Sequence, residues 1–357
     1  MQARHAHLLI VGLGISVAPL DTSVNVAFPA ITAGFGLQLQ SIQWVAIAYV
    51  LTYACIMLVC GRLGDLFGHR RVFRAGLAVS IVALALCALA PTYPWLLAYR
   101  VLQGVGTALV LSCGPALATA LYPPEQRTLA LAHYGILFSA GIALGPLAGG
   151  FAVEALDWPG VYWMRVPVMA AALAASWWLP AAEKPSGAGR FDAAGALLLA
   201  FWMSAILLGL ALLQLPEAPA GVSIALLVGG LAGLALFVLR ERVASSPVIR
   251  LALFADIRFA LINLLSIAVF VAGFAAILLA PYYLTRVLGL DVRAMGLMMT
   301  LWAGGSMAGA WAAGKLARPL GSQRLLAFCC AWLLCLGLAL AALCDADTGL
   351  ALIGVAL

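Results

Sequence analysis

Charge is scarce in this chain: Asp, Glu, Lys and Arg together make up 9% of its 357 residues. A soluble domain carries about a quarter charged residues to cover its surface, which excludes a soluble globular protein. Also missing are a phosphate-cradling P-loop, a zinc-type histidine cluster and a nucleophile elbow. Those absences argue against an ATP-driven pump on this chain, a membrane hydrolase and a metal site. The eight cysteines (Cys55, Cys60, Cys87, Cys113, Cys329, Cys330, Cys335 and Cys344) fall in or at the ends of apolar runs. They have neither metal-ligand spacing nor a loop framework and read as small apolar fillers. Nothing in the pattern calls for a cofactor, and the chain reads as a non-enzyme.

What fills the chain instead is apolar: 65% of the residues are hydrophobic. A helix needs roughly 20 consecutive apolar residues to cross the hydrocarbon core. Such runs occur near 8–31, 43–61, 75–90, 95–121, 130–155, 161–180, 193–213, 220–239, 259–284, 294–314 and 325–343. A twelfth starts near Thr348 and stops at Leu357. Ten helical residues rise about 15 Å, half a bilayer, so the sequence is expected to continue beyond this point and 1–357 alone to be inactive. The first run is too long for a cleaved signal peptide and is followed at once by others.

Basic residues are distributed unevenly about these runs. With the N-terminus inside, inner segments hold Arg4, Arg62, Arg70, Arg71, Arg74, Arg127, Lys184, Arg190, Arg240, Arg242, Arg250, Arg258, Lys315, Arg318 and Arg324. Outer loops hold only Arg286 and Arg293, while Arg100 and Arg165 lie within or near span ends. That asymmetry predicts a cytoplasmic N-terminus in a multi-pass cell (inner or plasma) membrane protein. Anionic lipid accounts for the net charge of +6, so no nucleic-acid partner is implied.

Two segments interrupt the runs: a linker, "AAEKPSGAGR" (181–190), and "RERVASSPVIRLALFADIR" (240–258), suited to the inner interface. The expected organisation is a six-helix bundle over 1–180, a linker over 181–192 and two additional helices over 193–240. An interfacial segment over 241–258 and an incomplete second bundle over 259–357 follow. An internal repeat supports two halves. "GRLGDLFGHRRV" (61–72) and "GKLARPLGSQRL" (314–325) share Gly61 with Gly314, Gly68 with Gly321 and Arg71 with Arg324. They lie eight spans apart and so point the same way, as in transporters with parallel repeats and a midplane site.

Polar residues inside apolar runs are the candidate site. Asp21 lies ten residues in from Ile31, about 15 Å deep, where an ionisable group is expensive and faces a water-filled cavity or proton path in most cases. Asn25, four residues on, is positioned for a substrate hydrogen bond or for a helix contact. In "YRVLQGVG" (99–106), Arg100 and Gln103 reach a similar depth from the outer side. Burial disfavours the charged carboxylate and a neighbouring arginine favours it, a balance suited to loading and releasing a proton. Arg165 is a second candidate counter-ion, with snorkelling to the outer surface as the alternative. "GIALGPLAGG" sets Gly141, Gly145 and Gly149 on one face beside Pro146, a close yet bendable contact. In "GRLGDLFGHRR", Gly61, Gly64 and Gly68 suit a tight turn, and Asp65 is placed to pair with Arg70, Arg71 or a helix N-terminus.

Together these motifs resemble the major facilitator superfamily, in particular its fourteen-helix drug:proton antiporters, over essentially the whole chain. "LDTSVNVAFPAI" is similar to a first-helix motif whose aspartate, here Asp21, is implicated in proton coupling. "GRLGDLFGHRR" resembles the loop between helices 2 and 3, carried over to Gly61, Asp65, Gly68, Arg70 and Arg71. "RVLQGVG" resembles the helix-4 motif with Arg100 as the proton-relay arginine. "GIALGPLAGG", including Gly150, resembles the motif that marks antiporters.

The resemblance implies an all-α fold of two six-helix bundles plus two extra helices, with about eleven and a half of fourteen spans present. It implies no cofactor beyond a proton gradient, and as partners protons, a small-molecule substrate and the bilayer, in a monomer. The implied activity is proton-coupled export of lipophilic or amphipathic compounds, with export of a defined metabolite as the alternative. Arg165 departs from the family's more usual asparagine before "VP". No acid lies mid-span in the second half, which argues against polycation export.

Overall fold

The computed structural model describes residues 2–38, 41–120, 122–179, 192–213, 219–244, 247–249 and 251–282. Secondary structure among them is helical throughout. The order is α1 (Gln2–Ile15), a 3₁₀ turn (Pro19–Thr22), α2 (Ser23–Phe35), α3 (Gln43–Phe67), α4 (His69–Ala88) and α5 (Tyr93–Ala120). Then come α6 (Arg127–Leu156), α7 (Gly160–Trp163), α8 (Arg165–Ala175), α9 (Ala193–Leu213), α10 (Ala220–Val243), α11 (Ala252–Ala255) and α12 (Ile257–Tyr282). Among the described residues, seven helical stretches are long and apolar enough to cross a membrane, taking α1 to α2 as one. The expected spans at 294–314 and 325–343, and the second copy of the repeat, lie outside the described residues.

Two compact units emerge, one of Met1–Pro124 with Leu144–Leu251, the other of Glu125–Ala143 with Ala252–Leu357. In the first, α5 packs along both α3 and α4, and α8 packs on α1 and α4. Small residues let α4 and α5 meet backbone to backbone. A Cβ on Gly76 would lie 2.9 Å from the Val110 amide nitrogen, and one on Gly106 2.8 Å from that of Ser80. Helices α9 and α10 form an antiparallel hairpin that packs on α3 and turns Leu197, Val228 and Leu231 outward. At its base, Asp192 caps the amide of Gly195 at 3.1 Å and accepts hydrogen bonds from Arg240 at 3.0 to 3.3 Å. In the second unit, α11 packs on α12, with Phe254 edge-on to Phe259 at 5.3 Å.

Two sequence expectations change here. The first span is not one helix. Pro19 has no amide hydrogen and cannot continue the α-helical ladder, so the chain tightens into the 3₁₀ turn before α2 resumes. The Ala18 amide takes the Ile15 carbonyl at 3.3 Å, and the Ser16 hydroxyl donates to Leu13 at 2.6 Å. The "GRLGDLFGHRR" glycines do not form one turn either. Gly61 and Gly64 lie inside α3, and Gly68 alone makes the turn, with φ of 91°. Gly64 serves close packing: a Cβ there would meet His69 and come within 3.1 Å of Cys113 Sγ.

Candidate functional site

The break in the first span presents Asp21 to a buried basic pocket within the first unit. Asp21 lies on the 3₁₀ turn, and α5 and α8 each supply an arginine to it. Arg100 donates from Nη1 to Asp21 Oδ1 and from Nη2 to Oδ2, both at 2.7 Å. Two parallel bonds from one guanidinium form the strongest and most directional kind of ion pair. Arg165 donates from Nη1 to Oδ1 at 2.8 Å, and Gln103 Nε2 donates to the same oxygen at 3.0 Å. Gln103 Oε1 in turn accepts from Arg100 Nη1 at 2.7 Å.

Every nitrogen of Arg100 has a partner. Its Nε donates to the Val45 carbonyl at 2.8 Å, and its Cζ lies 4.3 Å from the centre of the Tyr49 ring. Both arginines and Gln103 are fully buried, whereas the Asp21 side chain keeps 13% exposure. Among the described residues one carboxylate therefore balances two guanidiniums, which leaves a surplus positive charge in the cluster. Arg165 uses only Nη1; its Nε and Nη2 are buried without a hydrogen-bond partner among the described residues.

Of the sequence candidates, Asp21, Arg100, Gln103 and Arg165 come together. Arg165 does not snorkel: it turns inward to the carboxylate. Asn25 does not join them, for it is exposed on the first turn of α2. Among the described residues, Tyr49, Tyr162 and the Val45 carbonyl complete the surroundings, and the sequence singled out none of the three for this. Pro19 was the available signal for the break.

The small-residue face of α6 lies directly against that break. A Cβ on Gly145 would collide with the Thr22 hydroxyl, and one on Gly149 would lie 2.8 Å from Ser23 Cβ and 2.9 Å from its Cα. Gly141 is buried and Pro146 exposed within the helix. Gly150, by contrast, has open space where a Cβ would stand.

At the other end of these helices the arginines of "GRLGDLFGHRR" act differently from expectation. Asp65 sits 3.8 Å from Arg62 and 3.4 Å from His69, not against Arg70 or Arg71. Arg70 donates to the Trp177 carbonyl at 2.8 Å, and Arg71 is exposed. Arg74 donates to the Ser176 hydroxyl and carbonyl at 3.1 and 2.9 Å and lies over the Trp177 ring at 4.5 Å. These cations meet the carbonyl end of the helical stretch after α8, where they oppose the negative end of its dipole.

Comparison with known proteins follows the same lines. A family model described as Major Facilitator Superfamily matches residues 10–357. The chain is 34% identical to a methylenomycin A resistance protein of Bacillus subtilis over 71% of its own length and 54% of that protein's. It is 27% identical to the riboflavin transporter RibZ of Clostridioides difficile, over 84% of this chain and 65% of that one. The chain thus spans between about half and two thirds of those relatives' lengths. In fold it is similar to the solved proton:xylose symporter XylE, with a TM-score of 0.64, 16% identity, and coverage of 99% of this chain and 79% of that one.

Proposed function

This chain belongs to the major facilitator superfamily, and from that membership we propose that it is a proton-coupled exporter of lipophilic or amphipathic small molecules. It is a multi-pass membrane transporter and not an enzyme. The observation that carries the finer reading is the Asp21 cluster, a carboxylate set at a helix break in a membrane-spanning segment and gripped by two buried arginines. Its four charge-assisted bonds last only while Asp21 is ionised. A proton arriving on that carboxylate weakens them, frees Arg100 and Arg165, and loosens α2 and α6 from the arrangement around the break.

Alternating access then follows as a shift between two packings of the same helices. Protonation from outside favours the inward-facing packing, and proton release inside resets the site for export. The chain works with its N-terminus in the cytoplasm, as two six-helix halves with α9 and α10 inserted between them. Similarity to a resistance protein supports drug export, whereas similarity to a riboflavin transporter supports the second reading, export of a defined metabolite.

The test is efflux from proteoliposomes holding the complete protein. An imposed inward pH gradient is expected to drive a lipophilic dye out, and a protonophore to stop it. Efflux indifferent to the gradient rejects proton coupling. A panel that finds one metabolite moved and no dye replaces drug export with the second reading.

A further inference from the structure

We propose that Arg165 is a receptor for the carboxylate, or another oxyanion, of an amphipathic substrate, so that the protein prefers organic acids to their neutral and cationic analogues. This rests on the reading that the Asp21 cluster lines the transport site.

Three observations carry it. The first is charge. Asp21 is shared by Arg100 and Arg165, which leaves one guanidinium in surplus in a buried cluster. An uncompensated buried charge is costly unless something pairs with it, and an arriving anion neutralises it where a cation is repelled. The second is hydrogen bonding. Each nitrogen of Arg100 has a partner, in Asp21, Gln103 or the Val45 carbonyl. Arg165 differs: Nε and Nη2, both buried, have no partner among the described residues. Those two nitrogens form one edge of the planar guanidinium, and their parallel N–H groups match the two oxygens of a carboxylate.

The third observation is the surroundings. The hydroxyl of Tyr162 is likewise buried without a partner among the described residues. Tyr49 lies under Arg100 at 4.3 Å and Tyr162 beside Arg165 at 5.9 Å. The pocket therefore holds more donors than acceptors. Buried polar groups left unsatisfied call for an explanation, and a bound oxyanion supplies acceptors to the open edge of Arg165. Asp21 is the cluster member that reaches the accessible surface, so a ligand gains Arg165 when the helices part during the transport cycle.

A pH dependence follows. Tyr49 and Tyr53 from α3, Cys87 from α4, Arg100 from α5, Tyr162 from α7 and Arg165 from α8 lie within electrostatic reach of Asp21. Asp21 is the one carboxyl among these groups. A proton on it removes the competing negative charge, so an oxyanion binds more tightly as pH falls. By reciprocity, the bound oxyanion favours the protonated carboxyl. A cationic ligand has the opposite pH dependence. A proton and an anion that favour each other's binding do not exchange for one another, so this preference opposes proton-driven export of the anion itself, and gradient-driven efflux is expected of a neutral dye.

Equilibrium binding to the complete purified protein tests this with three probes on one aromatic skeleton: a naphthoate, a naphthamide and a naphthalenesulfonate. The naphthoate is expected to bind at least about tenfold more tightly than the naphthamide. Arg165→Gln is expected to bring that ratio near one, and Arg165→Lys, which keeps the charge and loses the paired N–H edge, to an intermediate value. The sulfonate, ionised throughout, is expected to bind more tightly as pH falls in the wild type and to lose that dependence in Asp21→Asn. Equal affinities for naphthoate and naphthamide in a preparation that still shows gradient-driven dye efflux would overturn the oxyanion site and leave the transport reading intact. A naphthoate preference abolished by Arg165→Gln, in a preparation without proton-driven efflux, supports the site and rejects the coupling.

Discussion

Asp21 and Arg165 touch the same atoms yet are not equivalent. Asp21→Asn leaves two buried guanidiniums with no counter-charge among the described residues, and unpairing a buried ion costs about 3–5 kcal/mol. Arg165→Gln removes the surplus charge and leaves Asp21 and Arg100 as a neutral, bidentate pair. The expected order in thermal melts is therefore a large loss for Asp21→Asn and a far smaller one for Arg165→Gln. Equal losses would mean that Arg165 is a needed counter-ion rather than a surplus one. Asp21, Arg100 and Gln103 were legible in the sequence because a polar residue in an apolar run is conspicuous and the rise per residue gives its depth. Arg165 was only half legible. It opens α8 near the membrane edge, and its inward turn depends on a partner 144 residues away. Tyr49 carried no signal of its own, for an aromatic residue in an apolar helix is ordinary.

Between elements, the decisive contact is α6 against the break before α2. A methyl group at Gly145 or Gly149 pushes into Thr22 or Ser23 with no free space. Overpacking of this kind costs about 1–3 kcal/mol, so Gly145→Ala and Gly149→Ala are expected to lower stability and slow transport. Gly150→Ala, which meets open space, is expected to match the wild type in melting and flux. If all three behave alike, the close contact is not what these glycines serve. Their four-residue spacing announced a shared face, but spacing alone does not say what a face meets. Pro19 could have announced the break, and the length of the apolar run concealed it.

The α9–α10 hairpin has a separate dependence on acidity. Hydrogen bonds from Arg240, together with the Gly195 amide, hold Asp192 below the usual carboxylate range. With its folded value lowered, Asp192 stabilises the hairpin at neutral pH and loses that contribution as pH falls through the acid range. Protection of the first turn of α9 from hydrogen exchange, taken relative to the intrinsic rate at each pH, is expected to fall on acidification in the wild type. In Asp192→Asn that protection is expected to be low and nearly independent of pH.

At the scale of the whole molecule, composition made the all-helical, membrane-spanning character legible. Among the described residues seven stretches long and apolar enough to span a membrane follow from the apolar runs, whereas the expected span 161–180 is divided among α7, α8 and a 3₁₀ turn. The positions of α9 and α10 were read to within a few residues. What the runs could not show is which helix lies against which. That depends on contacts such as Arg74 with Ser176, 102 residues apart, and no local pattern encodes them. Arg70, Arg74 and Trp177 join the start of α4 to the end of the stretch after α8, so Arg74→Ala is expected to destabilise that junction and leave probe binding at Arg165 unchanged. Altered binding in that variant would mean that the two ends of the unit are coupled.

The central claim, that Asp21 carries the coupling proton, is tested most directly by two assays on the same proteoliposomes. One follows exchange of labelled for unlabelled substrate with no gradient; the other follows accumulation driven by a pH gradient. Asp21→Asn is predicted to retain exchange, which certifies a folded and moving protein, and to lose accumulation. Accumulation in the variant at the wild-type rate would contradict the claim and move the coupling proton to another residue.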